Sequence, residues 1–131
     1  CVKVFIEEIE CQMDIEQFHD YCINKPFATE HFPFDETTLV FKVLGKMFAL
    51  VSLDQEDPFV NLKCDPDRAV ELREENGDVQ PGWHMSKKHW NSVYIERELD
   101  IKMIRELIDH SYDLVVNKLP KKIKRAVGIE Y

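Results

Sequence analysis

The sequence predicts an α+β fold in which helices pack on one face of an antiparallel sheet while the other face stays partly exposed. Three observations carry this reading: two strand-like runs that meet at a glycine, a third run that alternates apolar and polar residues, and a long helix-periodic segment after Asp100. With 131 residues the chain has length for one core and not for two, and 44% apolar against 32% charged residues is a globular balance that argues against disorder.

Residues 1–12 precede Met13 and are read as an N-terminal extension, with residues 13–131 forming a single domain. Asp14 and Gln17 stand at capping-box spacing, and Ile15, Phe18 and Cys22 then fall on one helical face, which predicts a helix over residues 15–24 ended by Pro26. HFPF (residues 31–34) reads as an extended edge segment, because Pro33 cannot donate to a ladder. TLVFKVL (residues 38–44) and KMFALVSL (residues 46–53) are rich in β-branched and aromatic residues and predict a hairpin with its turn at Gly45-Lys46. In FVNLKC (residues 59–64), Val60, Leu62 and Cys64 share one face, leaving Asn61 and Lys63 on a face expected to be wet.

Asp65 as N-cap and Pro66 at the first helical position start a helix over residues 66–76, with Asn76-Gly77 expected to supply a left-handed stop. A loop, VQPGWHMSKKH, leads into a strand at WNSVYIE (residues 90–96). Asp100 then caps a helix carrying Ile101, Ile104, Ile108, Val115 and Leu119, the expected lid on the sheet, and Pro120 ends it before a tail with one further helical turn.

Several functional classes receive no support. The longest apolar runs are too short to span a bilayer, and the start lacks the ordered parts of a secretory signal, so a cytoplasmic protein is expected. The four cysteines, Cys1, Cys11, Cys22 and Cys64, form no CxxC pair and read as free thiols, with Cys22 and Cys64 on apolar faces. The four glycines sit singly and build no phosphate loop. His84 and His89 are spaced for neither a helix face nor a strand face, so no metal site is assigned, and no cofactor is expected. A binding protein, not an enzyme, is the expectation.

The net charge of −8 is uneven: residues 1–60 hold 4 basic and 12 acidic groups, whereas residues 61–131 hold 13 of each. A polyanion would therefore need a local basic surface working against the global field. Two stretches offer one. PGWHMSKKHW (residues 81–90) mixes Trp83, Lys87, Lys88 and His89, types that suit base stacking and phosphate pairing, although Trp83, Met85 and Trp90 serve equally as core or loop anchors. KLPKKIKR (residues 118–125) is the one basic cluster without an acid; Lys118, Lys121 and Lys122 could clamp phosphates, and Lys118 could equally complement the dipole of the long helix. The carboxylates Glu7, Glu8, Glu10, Asp14, Glu16 and Asp20 read as a solvated face, with cation capture the sharper alternative.

NLKCDP, PGWHMSKKHW and LIDHSYDLVV, with KPFATEHFPF and the hairpin segment in the same order, resemble the MmcQ/YjbR family of small bacterial proteins over about residues 14–125. The resemblance implies a CyaY-like twisted antiparallel sheet packed against helices. It also implies double-stranded DNA binding through a double-wing surface, whose matching positions here are Lys42 and Lys46 on the hairpin and Lys87, Lys88 and His89 on the loop. Through frataxin-like proteins it raises metal handling at Glu16 and Asp20 as a lesser alternative. A protein-interaction module using the aromatic sheet face or Trp83 is a further one, and the molecule is expected to be a monomer.

Overall fold

A computed structural model describes residues 13–83 and 85–128. The extension at residues 1–12, with Cys1 and Cys11, and His84 with its part in any histidine pair, lie outside the described residues. In chain order the elements are α1 (Ile15–Ile23), β1 (Ala28–His31), β2 (Thr38–Val43), β3 (Lys46–Ser52), β4 (Phe59–Lys63), α2 (Pro66–Glu75), β5 (Val79–Pro81), β6 (Trp90–Tyr94), α3 (Ile101–Asn117) and α4 (Lys121–Ala126). The strands form one antiparallel sheet in the order β1-β2-β3-β4-β6-β5.

Local signals start the helices. The Asp14 side chain accepts from the Gln17 N–H at 2.7 Å while Gln17 Oε1 accepts from the Asp14 N–H at 3.1 Å, completing the capping box of α1. Asp65 caps α2 ahead of Pro66, and Asp100 caps α3. All three helices bury their apolar faces in one core: Phe18 and Cys22 from α1, Ala69 and Leu72 from α2, and Ile104, Ile108, Tyr112 and Val115 from α3 meet Phe41, Phe48, Val60, Leu62 and Val93 of the sheet. Edge-on ring contacts, Phe18 to Phe41 at 5.8 Å and Phe48 to Tyr112 at 5.3 Å, join α1 and α3 across the central strands. Among the described residues no helix is long and apolar enough to cross a membrane.

The middle of the sheet carries one irregularity. Phe41 pairs with Ala49 but Lys42 pairs with Met47, so Phe48 is an extra residue, and both Phe48 and Ala49 are buried in the helix-side core. The β3–β4 ladder stops at Ala49 and Leu62. Beyond it, the Ser111 hydroxyl of α3 donates to the Phe48 carbonyl at 2.5 Å and accepts from the Lys63 N–H at 2.9 Å, replacing the missing ladder bonds.

Five local expectations are corrected. The hairpin turn is Leu44-Gly45, not Gly45-Lys46: both residues have positive φ, 50° and 88°, and Val43 pairs with Lys46. The edge strand is Ala28–His31, not residues 31–34; after it the chain turns, and Asp35 Oδ1 accepts from the N–H groups of Thr37 at 2.9 Å and Thr38 at 2.6 Å. These bonds hold the Asp35 pKa below the ordinary carboxylate value. Helix α2 stops without a left-handed residue, since Asn76 is extended at φ −132° and its N–H bonds to the Leu72 carbonyl. Val79–Pro81 is a strand where a loop was expected, paired to β6. Finally, the outer face of β4 is not wet at Asn61, which is buried under the backbone of Trp83.

Candidate functional site

The face of the sheet opposite the core of α1, α2 and α3, and its hairpin end, present two concave surfaces. The first lies over β3 and β4. A groove of about 460 Å³ has Leu50 and Asn61 in its floor and Phe34, Phe59, Trp83 and Met85 around it, with Ser52 and Gln55 alongside. Its neighbour, about 330 Å³, shares Gln55, Phe59 and Trp83 and continues to Gln80, Ser92 and Tyr94. Phe34 is 65% and Trp83 61% exposed, high for such large rings.

The Trp83 backbone is fixed by a small polar network. Ser92 Oγ donates to Asn61 Oδ1 at 2.5 Å and accepts from the Trp83 N–H at 2.8 Å, and Asn61 Nδ2 donates to the Trp83 carbonyl at 3.2 Å. Gly82 permits this approach: a β-carbon there would stand 2.8 Å from Trp90 Cβ. The rest of the loop is held from α2, where Arg73 donates to Asn91 Oδ1 at 2.7 Å and to the carbonyls of Lys87 and Trp90. At the far rim the Arg97 guanidinium lies 3.7 Å above the Tyr94 ring and is held by Asp57.

The second surface lies at the end of the sheet where the hairpin turns. A concavity of about 370 Å³ is lined by Lys46 at the start of β3, Lys63 at the end of β4 and Lys118 at the C-cap of α3, with Met47, Trp90 and Leu119 as its apolar walls. Among the described residues of its lining none is a carboxylate. Burial, with a smaller contribution from the Lys118 charge, lowers the Lys63 pKa below the ordinary lysine value. Met47 and Trp90 belong to a small outer-face cluster with Val40, Leu50 and Met85, which joins this concavity to the groove.

The nine positions singled out from sequence separate as follows. Lys46 and Lys118 come together at the basic concavity. Lys42 is half-buried on β2 opposite Thr29 and Met47. Lys87 and Lys88 are exposed on the loop, where Lys87 Nζ donates to the Gly82 carbonyl at 3.2 Å. His89 is half-buried, and its carbonyl accepts from the Cys64 N–H at 2.7 Å. Lys121 and Lys122 are exposed on α4, outside the lining of the concavity, and Trp83 stands over the groove. Sequence reasoning missed Lys63, Phe34, Phe59 and the Asn61–Ser92 pair; the alternation of β4 placed Asn61 and Lys63 on the correct face but could not say what covers it.

The remaining chemistry is sparse. Cys22 and Cys64 are free buried thiols whose pKa values burial pushes up, which disfavours a nucleophilic thiolate. Asp20 lines an open concavity together with Arg105 and bonds His19 Nδ1 at 3.3 Å. Among the described residues no group of three or more His, Cys, Asp or Glu side chains is placed to hold a metal ion.

A family model described as YjbR matches residues 23–114. The uncharacterized protein YbdF of Escherichia coli O157:H7 is 37% identical over 119 residues, 88% of this chain and 98% of its own length. The uncharacterized protein YjbR of Escherichia coli K12 is 35% identical over 86% of this chain and 96% of its own. Among solved structures, a Deinococcus radiodurans protein with a DUF419 domain superposes with a TM-score of 0.84 at 35% identity, covering 92% of this chain and 91% of its own.

Proposed function

The chain belongs to the YjbR family, and from that premise we propose that it is a non-enzymatic DNA-binding protein that grips phosphates with the lysines at the hairpin end of its sheet. One observation carries the reading: Lys46, Lys63 and Lys118, from three separate elements, line one concavity that holds no carboxylate among the described residues, in a chain whose net charge is −8. Three cations gathered against the sign of the whole molecule repel one another and gain most from a polyanion. The hairpin turn at Leu44-Gly45 and the loop carrying Lys87 and Lys88 stand to either side of Lys63, following the strand order β3-β4-β6, and would serve as the two wings. The buried, high-pKa thiols favour binding over covalent catalysis.

The test is a salt titration of binding to a labelled mixed-sequence duplex. Each lysine–phosphate contact contributes roughly −0.9 to the slope of log affinity against log salt, so three contacts predict a slope of about −2.7. Lys46→Ala/Lys118→Ala should flatten that slope by about two. A slope unchanged in the double variant, or no binding at low salt, would refute the proposal.

A further inference from the structure

The lysine reading leaves the aromatic groove on the outer face without a role. We propose that this groove receives unpaired bases, so that the protein prefers single-stranded DNA to duplex, with the strand's phosphates reaching the lysine concavity. This inference rests on the reading of that concavity as a phosphate site.

Three features select the occupant. Phe34 and Trp83 are large aromatic residues more than half exposed, and Phe59 adds a third ring to the groove lining. Stacking on such rings tolerates any base, because every base has a π-face, but in a duplex those faces are already covered by neighbouring pairs. The polar groups beside the rings are amides and hydroxyls, Gln55, Asn61, Ser52 and Thr38, with no lysine, arginine or carboxylate lining the groove among the described residues. Amides carry donors and acceptors together, as the edge of a base does, whereas a charged peptide would find no counter-charge here. Asn61 is already oriented by Ser92 and the Trp83 carbonyl, and its amide retains a second N–H for a ligand.

Continuity supplies the third argument. Met85 lines the groove, Met47 and Trp90 line the lysine concavity, and all three pack in the single cluster on this face. A strand with phosphates at Lys46 and Lys63 can therefore lay its next bases across Met85 toward Trp83. The adaptable thioethers provide a floor for it without specifying sequence.

The experiment uses the whole chain and three labelled probes of equal length: a single strand, its duplex, and an abasic strand with the same phosphates. The single strand is expected to bind tighter than both others, and Trp83→Ala to weaken it by roughly tenfold, the scale of one lost stacking contact, while leaving the abasic strand unchanged. Phe34→Ala, at an exposed position on another element, gives the same comparison if the first variant disturbs the loop. Equal affinity for the single and abasic strands overturns the inference, keeps the phosphate reading, and leaves the groove to a protein partner. Base-dependent binding that survives Lys46→Ala/Lys118→Ala overturns the phosphate reading while the groove stands as a base site, and absence of binding to every probe overturns both.

Discussion

Ser111→Ala removes a single oxygen that bridges the helix layer to the sheet. The side chain is fully buried, and its hydroxyl serves the Phe48 carbonyl and the Lys63 N–H just beyond the end of the β3–β4 ladder. An alanine methyl group fills most of the same space, so the cost comes from stranding one donor and one acceptor. Each such buried group costs about 1–3 kcal/mol, and allowing for partial relaxation the pair predicts a loss of about 2–4 kcal/mol. Against a typical domain stability of about 5–15 kcal/mol that is a large share. In urea unfolding, with a slope of about 2 kcal/mol per molar for a domain of this size, the midpoint should fall by about 1–2 M at unchanged slope. Amide exchange at Lys63 should quicken in the same variant. A midpoint shift below about 0.3 M would refute the reasoning, because two stranded buried groups cannot be that cheap.

Four further outcomes follow from the same geometry. Gly45→Ala should cost about 1–2 kcal/mol in thermal unfolding through its φ of 88° alone, since nothing lies within 4 Å of the added carbon. Gly82→Ala should instead displace the loop, because its β-carbon would meet Trp90 Cβ at 2.8 Å; the Trp83 indole NMR signal should move in this variant and not in Gly45→Ala. Burial and the Arg68 charge hold the His110 pKa below 6.5, and its Nε2 accepts from the Asp65 N–H at 3.1 Å. A depressed folded pKa gives stability that is fully present above the unfolded value of 6.5 and lost as pH falls through the folded value, so a His110→Ala variant should lose least, relative to wild type, in acid. Lys63 sheds its proton at lower pH than an ordinary lysine, so DNA affinity should decline on the alkaline side sooner in wild type than in Lys63→Arg, as anisotropy across pH would show.

Much of this fold is legible because its signals are local. The capping box at Asp14 and Gln17, the Asp65-Pro66 start of α2 and the periodic apolar face of α3 are each complete within a few residues. What was misread depends on partners. Leu44 takes a positive φ that its side chain disfavours because the register of β2 with β3 requires it, and partial burial against the core offsets the strain. Val79–Pro81 is too short and too proline-marked to announce a strand, and exists because β6 offers it an edge. Asn76-Gly77 has the composition of a left-handed stop, but Asn76 is extended and the chain enters β5 through a short turn in which the Val79 N–H donates to the Asn76 carbonyl at 3.1 Å. The candidate site was legible only as residue types. Lys46, Lys63 and Lys118 come from three elements, and no spacing rule links them. Asn61 reads as solvent-facing until the loop that covers it is known.

The strand order has a consequence for when the proposed binding face comes into being. Strands β1 to β4 form a meander of sequential neighbours, which can zip from local contacts. Strand β6 must instead return past α2 and β5 to dock beside β4, closing the longest gap between paired strands. Trp90, which walls the basic concavity, and Ser92 and Tyr94, which line the concavity beside the groove, arrive only with that closure. A nascent chain stopped before β6 would therefore hold four strands and two of the three lysines, but not Trp90 or Lys118, which complete the lining of the basic concavity. The surface is acquired together with the completed fold and not ahead of it.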